Sequence, residues 1–158
     1  MSEVAGPLAP LERFAADWRG ALETGAGAVI QFAELEPNFA APHAVADAFV
    51  KNAGFTPIGF NWEMLDASDS ADGQRAAQTV ISGALANNMV MPGVEWLGEK
   101  RALACAQAFL GAFNPAQRTV LSNRLEGLWN PISTAALEWA FTGFDDQKIA
   151  LLLVTAEG

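Results

Sequence analysis

Glu34 and Glu36 flank Leu35 at the end of one apolar run, and Glu63 and Asp66 close a second one. If the two ends converge, four carboxylates could hold Mg²⁺ or Ca²⁺ through hard oxygen ligands and support metal-assisted hydrolysis or phosphoryl transfer. The same residues have an electrostatic use that needs no metal. With Asp69 and Asp72 they belong to a front segment, residues 1–73, whose eleven acidic residues face only Arg13, Arg19 and Lys51, a net −8 of the chain's −9. A surface of one sign attracts cationic partners and speeds encounter with them.

The remaining inventory is poor in chemistry: one histidine, His43, one cysteine, Cys105, and no tyrosine. His43 and Asp47 are four apart at the start of a predicted helix, a spacing at which a carboxylate can orient an imidazole. That pair lacks a nucleophile. No Gly-x-Ser-x-Gly turn occurs, and Ser68 and Ser70 read as capping residues, so no catalytic residue is expected and the pair reads as structural. One His and one Cys cannot supply the three or four N/S ligands of a zinc site.

The Asp66–Gly73 loop fails as a calcium loop. Counted from Asp66, Ala71 falls where the sixth-position Gly belongs; counted from Ser68, Gly73 fits but Thr79 replaces the twelfth-position Glu. Thr24-Gly-Ala-Gly-Ala28 precedes its strand rather than following it and lacks Gly-Lys-Ser/Thr, so it is neither a dinucleotide fingerprint nor a phosphate loop. No cofactor is expected. Residues 74–144 carry five basic against four acidic residues, too little cationic charge for direct nucleic-acid binding.

Of five tryptophans, Trp96 stands in a charged stretch beside Glu95, Glu99 and Lys100, with Met89 and Met91 nearby in sequence. An aromatic anchor with adaptable methionines suits a partner surface.

The elements that must position these residues follow from periodicity. Pro10, Leu11, Phe14, Trp18 and Leu22 predict a helix, Ala28–Leu35 a strand, and Pro42–Asn52 a second helix. Ile58, Phe60, Trp62 and Met64 alternate with polar residues and Gly59, predicting a strand over Thr56–Leu65 with those four on one face. Ala77, Val80, Ile81, Ala84, Leu85 and Met89 form the stripe of a third helix. A fourth runs from about Val94 to Phe113, its apolar second half placing Cys105 in the core. Asn114-Pro115-Ala-Gln117 reads as a helix start, predicting a fifth helix to about Trp129. Leu137, Trp139 and Phe141, a turn, and the apolar run Ile149–Val154 predict a terminal hairpin whose second strand is buried on both faces.

These readings predict a single α+β domain over residues 1–158. About five helices pack on one side of a small, mainly antiparallel sheet of about four strands, ending in a C-terminal β-hairpin, with residues 1–9 a loosely ordered tail. A chain of 158 residues, 51% of them hydrophobic, buries roughly 70% of its unfolded surface without disulfide or metal staples. The N-terminus has no basic region ahead of an apolar stretch and no window has 18 uninterrupted apolar residues, which predicts a soluble, intracellular, cytoplasmic protein with no membrane contact.

The expected function is therefore non-catalytic. An acidic surface built from Glu34, Glu36, Glu63, Asp66, Asp69 and Asp72, with Trp96, would face a basic protein partner, as in inhibitor, immunity or adaptor proteins. The alternatives are a carboxylate-metal (Mg/Mn) hydrolase or phosphoryl-transfer enzyme, and a structural subunit of a larger assembly held through Trp96, Met89 and Met91.

Overall fold

The apolar run near the C-terminus becomes the central strand of the molecule. In the computed structural model, which describes residues 6–24, 27–36, 40–66, 76–125 and 128–157, the elements are α1 (Ala9–Leu22), β1 (Gly27–Glu34), α2 (Pro42–Asn52), one 3₁₀ turn (Gly59–Asn61), β2 (Glu63–Leu65), α3 (Ala77–Ala86), α4 (Gly98–Leu110), β3 (Thr119–Ser122), β4 (Arg124–Leu125), β5 (Leu128–Trp129), β6 (Leu137–Phe144) and β7 (Lys148–Ala156). The main sheet has the order β1-β7-β6-β3-β2, and every neighbouring pair is antiparallel. β4 and β5 form a separate two-stranded ribbon.

Because side chains alternate across a strand, β7 feeds two cores. Ala150, Leu152 and Val154 enter one with Leu11, Phe14 and Leu22 of α1, Ile81 and Leu85 of α3, and Phe109 of α4. Leu151 and Leu153 enter the other with Ala46 and Val50 of α2, Trp62, Leu121, Ile132 and Ala140. A strand covered on both faces must be apolar throughout, as the run Ile149–Val154 is. The α+β class, the antiparallel sheet and the terminal hairpin agree with the sequence reading. The helices do not all lie on one side: α2 covers the face opposite α1, α3 and α4.

Three local expectations are corrected. First, there are four α-helices among the described residues rather than five, and five strands in the main sheet rather than four. The predicted helix from Asn114 to Trp129 is instead a turn followed by β3, β4 and β5. The cap chemistry at Asn114 is real, since Asn114 Oδ1 accepts from Ala116 N at 3.1 Å, but it closes only a turn. From Thr119 the chain pairs with β6, Thr119 opposite Phe144 and Ser122 opposite Phe141, which places Val120 in one core and Leu121 in the other.

Second, the predicted strand Thr56–Leu65 is extended and paired only over Glu63–Leu65, against Val120–Ser122. Trp62 is buried while Phe60 is 84% exposed and Met64 also faces outward, so the proposed common face does not exist. Third, α1 already begins at Ala9, inside the segment read as a tail; residues 1–5 lie outside the described residues.

Gly143 is required by packing. A Cβ there would lie 2.9 Å from the Phe113 ring and 3.5 Å from that of Phe109, so the absence of a side chain lets the aromatic layer press on β6. Among the described residues no helix is long and apolar enough to cross a membrane.

Candidate functional site

The register gathers several turns at one end of the sheet. Glu34 lies opposite Lys148, Phe144 opposite Thr119, and Leu65 opposite Val120. The end of β1, the β6–β7 turn, the approach to β3 and the end of β2 therefore emerge together. The strand ends and turns there carry Glu34, Glu36, Asp145, Asp146 and Asp66 against Lys148 and Arg118, five negative and two positive, a net −3. Glu34 ends β1 and Asp66 follows β2, and these outermost strands are four inter-strand spacings or on the order of 20 Å apart. One cation cannot bridge them, and among the described residues no three His, Cys, Asp or Glu side chains are grouped to hold a metal.

Asp145, in the middle of this end, is buried. Its carboxylate accepts from Asn114 N (2.8 Å), Gln147 N (2.8 Å) and Lys148 N (3.0 Å), and its Oδ2 lies 3.1 Å from the buried Lys148 Nζ. Burial pushes the carboxyl upward, but these hydrogen bonds outweigh it and hold Asp145 below the usual carboxylate range. Lys148 is thereby turned into the turn, although it stands directly opposite the exposed Glu34. Gln117, with its amide nitrogen turned toward the turn, donates to Asp146 at 2.9 Å. Glu36, Val45, Gln117, Asp145 and Asp146 line a shallow cavity of about 220 Å³ beside it.

Asp66 divides its carboxylate between two tasks. Oδ1 accepts from Ala77 N at 2.8 Å, at the first residue of α3, and Oδ2 lies 3.8 Å from Arg118 Nη2. Its backbone takes a positive φ of 59°, a conformation that Asp tolerates better than most residues. Glu63 is half-buried on β2 opposite Ser122. Asp69 and Asp72 lie outside the described residues. The structure thus brings Glu34, Glu36 and Asp66 to one end of the sheet, without bringing the two strand ends into contact. It adds Asp145 and Asp146, which sequence reasoning had left as turn residues; two adjacent acids in a hairpin turn were the available signal.

The chain matches no family model, no curated protein and no solved structure. The reading of the remaining candidates therefore rests on their own geometry.

Asp47 does not orient His43. Its carboxylate accepts from Ile58 N (2.9 Å), Gly59 N (2.9 Å) and Trp62 Nε1 (2.8 Å), and so bends residues 58–62 into the 3₁₀ turn that displaced the predicted strand. His43 instead packs against Phe60, with ring centroids 4.2 Å apart and the rings tilted by 38°. Asp47→Ala should lower stability by about 3 kcal/mol, because three donors lose a charged acceptor at once. Urea unfolding followed by tryptophan fluorescence checks this, and a loss below about 1 kcal/mol would show that the turn is held by other contacts.

Trp96 is half-buried against the larger core, and its Nε1 donates to Thr24 O at 2.7 Å. It ties the α3–α4 connection to the end of α1 rather than projecting from the surface. The apolar tip of that connection is Val90, Met91 and Val94, with Met91 57% exposed. Cys105 is buried, and burial pushes its thiol up to about 12, against a smaller opposing effect of Arg101. A thiol held so high supplies no thiolate nucleophile at neutral pH.

Proposed function

We propose that this chain is a non-catalytic binding protein, acting inside the cell, that presents the acidic end of its sheet to a basic protein partner as an inhibitor, immunity or adaptor protein does. The observation that carries the reading is the inward ion pair of Lys148 with Asp145. It removes the nearest lysine from Glu34 and leaves the strand ends and turns with the net −3 described above, a local field able to steer a cationic partner. Support also comes from the groups best suited to catalysis: Asp47 is committed to Trp62 and the turn backbone, and Cys105 is buried. Asp69 and Asp72 extend the same acidic stretch in sequence; Trp96 stands apart from it.

The test is capture from the native host by immobilised protein at low and high salt, beside the variant Glu34→Gln/Glu36→Gln/Asp66→Asn/Asp146→Asn. A basic protein should be retained at low salt, released at high salt, and not retained by the variant, whose circular dichroism should match that of the wild type. Equal capture by the folded variant would overturn the reading. Binding of Mg²⁺ or Mn²⁺ tighter than about millimolar in a calorimetric titration would favour the carboxylate-metal enzyme instead.

A further inference from the structure

β1 is an edge strand with eight residues in unbroken register against β7. In an antiparallel ladder, residues alternate between those that bond the neighbouring strand and those whose N–H and C=O point away from it. Leu35 N donates to Gln147 O at 2.9 Å, and continuing the register makes Leu35, Ala33, Gln31 and Val29 the bonded set. The backbone groups of Ala28, Ile30, Phe32 and Glu34 therefore face outward from the edge. Arg19 Nη2 reaching Ile30 O at 3.3 Å from α1 agrees with this phase. Among the described residues, none of the four outward N–H groups has a hydrogen-bond partner. β1 contains no proline, no lysine and no bulge, the usual means of blunting such an edge.

The charge beside the edge selects the occupant. Glu12 lies seven residues before Arg19 on α1, and Glu23, the C-cap residue, four after it, so both fall on the stripe from which Arg19 reaches the strand. Glu34 ends the strand and Glu36 follows it. By this spacing Glu12 and Glu23 share the side of α1 from which Arg19 reaches Ile30, while Glu34 and Glu36 stand at the strand end, and all five side chains belong to exposed residues. A second copy of a chain carrying −9 would bring like charges together, whereas a cationic strand would not.

We propose that an extended, basic segment of the partner protein adds to the β1 edge as a sixth strand. Its backbone would pair with Ala28, Ile30, Phe32 and Glu34, and its lysines or arginines would lie along Glu12, Glu23, Glu34 and Glu36. Arg19 is the guard of the edge, holding the Ile30 carbonyl until the incoming strand replaces it. The inference rests on the acidic-surface reading above and assigns the docking mode; main-chain pairing supplies affinity and the flanking charges supply selectivity.

The probe is a short synthetic peptide alternating lysine and valine, read by amide hydrogen exchange in NMR. In the unliganded protein Val29, Gln31, Ala33 and Leu35 should be protected while Ala28, Ile30, Phe32 and Glu34 exchange quickly. Saturating peptide at low salt should slow the second set by about tenfold or more. Arg19→Ala should bind the peptide several-fold more tightly, and Ala28→Pro, which removes an outward donor without touching the β7 ladder, should bind it several-fold more weakly. Binding without added protection at these four amides would overturn the edge mode while leaving the acidic surface intact. No binding at low salt would also overturn it, and the capture experiment decides separately on the broader reading. Protection of the same amides that rises with protein concentration alone would make a second copy the occupant and end the proposal.

Discussion

Replacing Glu138 by alanine should cost about 3–5 kcal/mol, a large part of the stability of a domain this size. The side chain is fully buried on β6. Its Oε2 accepts from Asn123 Nδ2 (2.9 Å) and Ile132 N (2.8 Å), and its Oε1 from Ser133 N (3.0 Å) and Ser133 Oγ (2.5 Å). Asn123 continues the network by accepting from Ala140 N at 3.0 Å and donating to Asn130 O at 3.1 Å. Ile132 O in turn accepts from Thr56 N at 2.8 Å, so one carboxylate organises the return from β3 to β6 and its contact with the segment after α2. Truncation leaves Ile132 N and Ser133 N without their acceptor and leaves Asn123 Nδ2 only the Asn130 carbonyl, at a site where Asn123, Ile132 and Glu138 are buried. Glu138→Gln should also destabilise, since an amide presents donors where the site requires an acceptor. Urea unfolding gives the magnitude; a loss under about 1 kcal/mol for Glu138→Ala would mean that the return is held by apolar packing alone.

The second large effect is at the β6–β7 turn. Asp145→Ala should cost about 3–5 kcal/mol because it leaves the buried Lys148 ammonium without its partner, along with the N–H groups of Asn114, Gln147 and Lys148. Asp145→Ala/Lys148→Met should recover part of that loss, since the unpaired buried charge is then gone. The pH dependence has a definite sign. Asp145 lies below its ordinary range in the folded protein, so the unfolded chain takes up the proton first as pH falls. The contribution is complete above the unfolded value of about 3.9 and is lost as pH drops through the folded value. Unfolding free energies across acid pH should therefore fall less steeply for Asp145→Asn than for the wild type. Parallel curves would show that the carboxylate is not preferentially ionised in the fold.

Where periodicity and burial coincide, the elements were legible. The stripe Leu11, Phe14, Leu22 formed α1, Pro42 opened α2, and the run Ile149–Val154 became the doubly covered strand. Where a polar side chain bonds distant backbone, the local pattern misled. Asp47 holds residues 58–62 in a turn although their alternation reads as a strand. Thr119–Ser122, behind a sound helix-start signal, pairs with β6 because that pairing puts Val120 and Leu121 into two cores. The candidate site was legible as an acidic excess in the front half; the part played by Asp145 and Asp146 was not, because their proximity to Glu34 arises from β7 pairing with both β1 and β6.

By itself the sequence determined the α+β class, the terminal hairpin, the scarcity of histidine, cysteine and tyrosine and the net negative charge, since these depend on composition and on contacts between near neighbours in the chain. Only the tertiary structure decided that helices cover both faces of the sheet, that its two acidic strand ends lie at opposite edges, and that β1 is an edge strand whose outward N–H groups have no partner among the described residues. Strand order and register join residues more than a hundred positions apart, and such pairings are settled by burial and hydrogen bonding across the whole fold, to which no local pattern gives access.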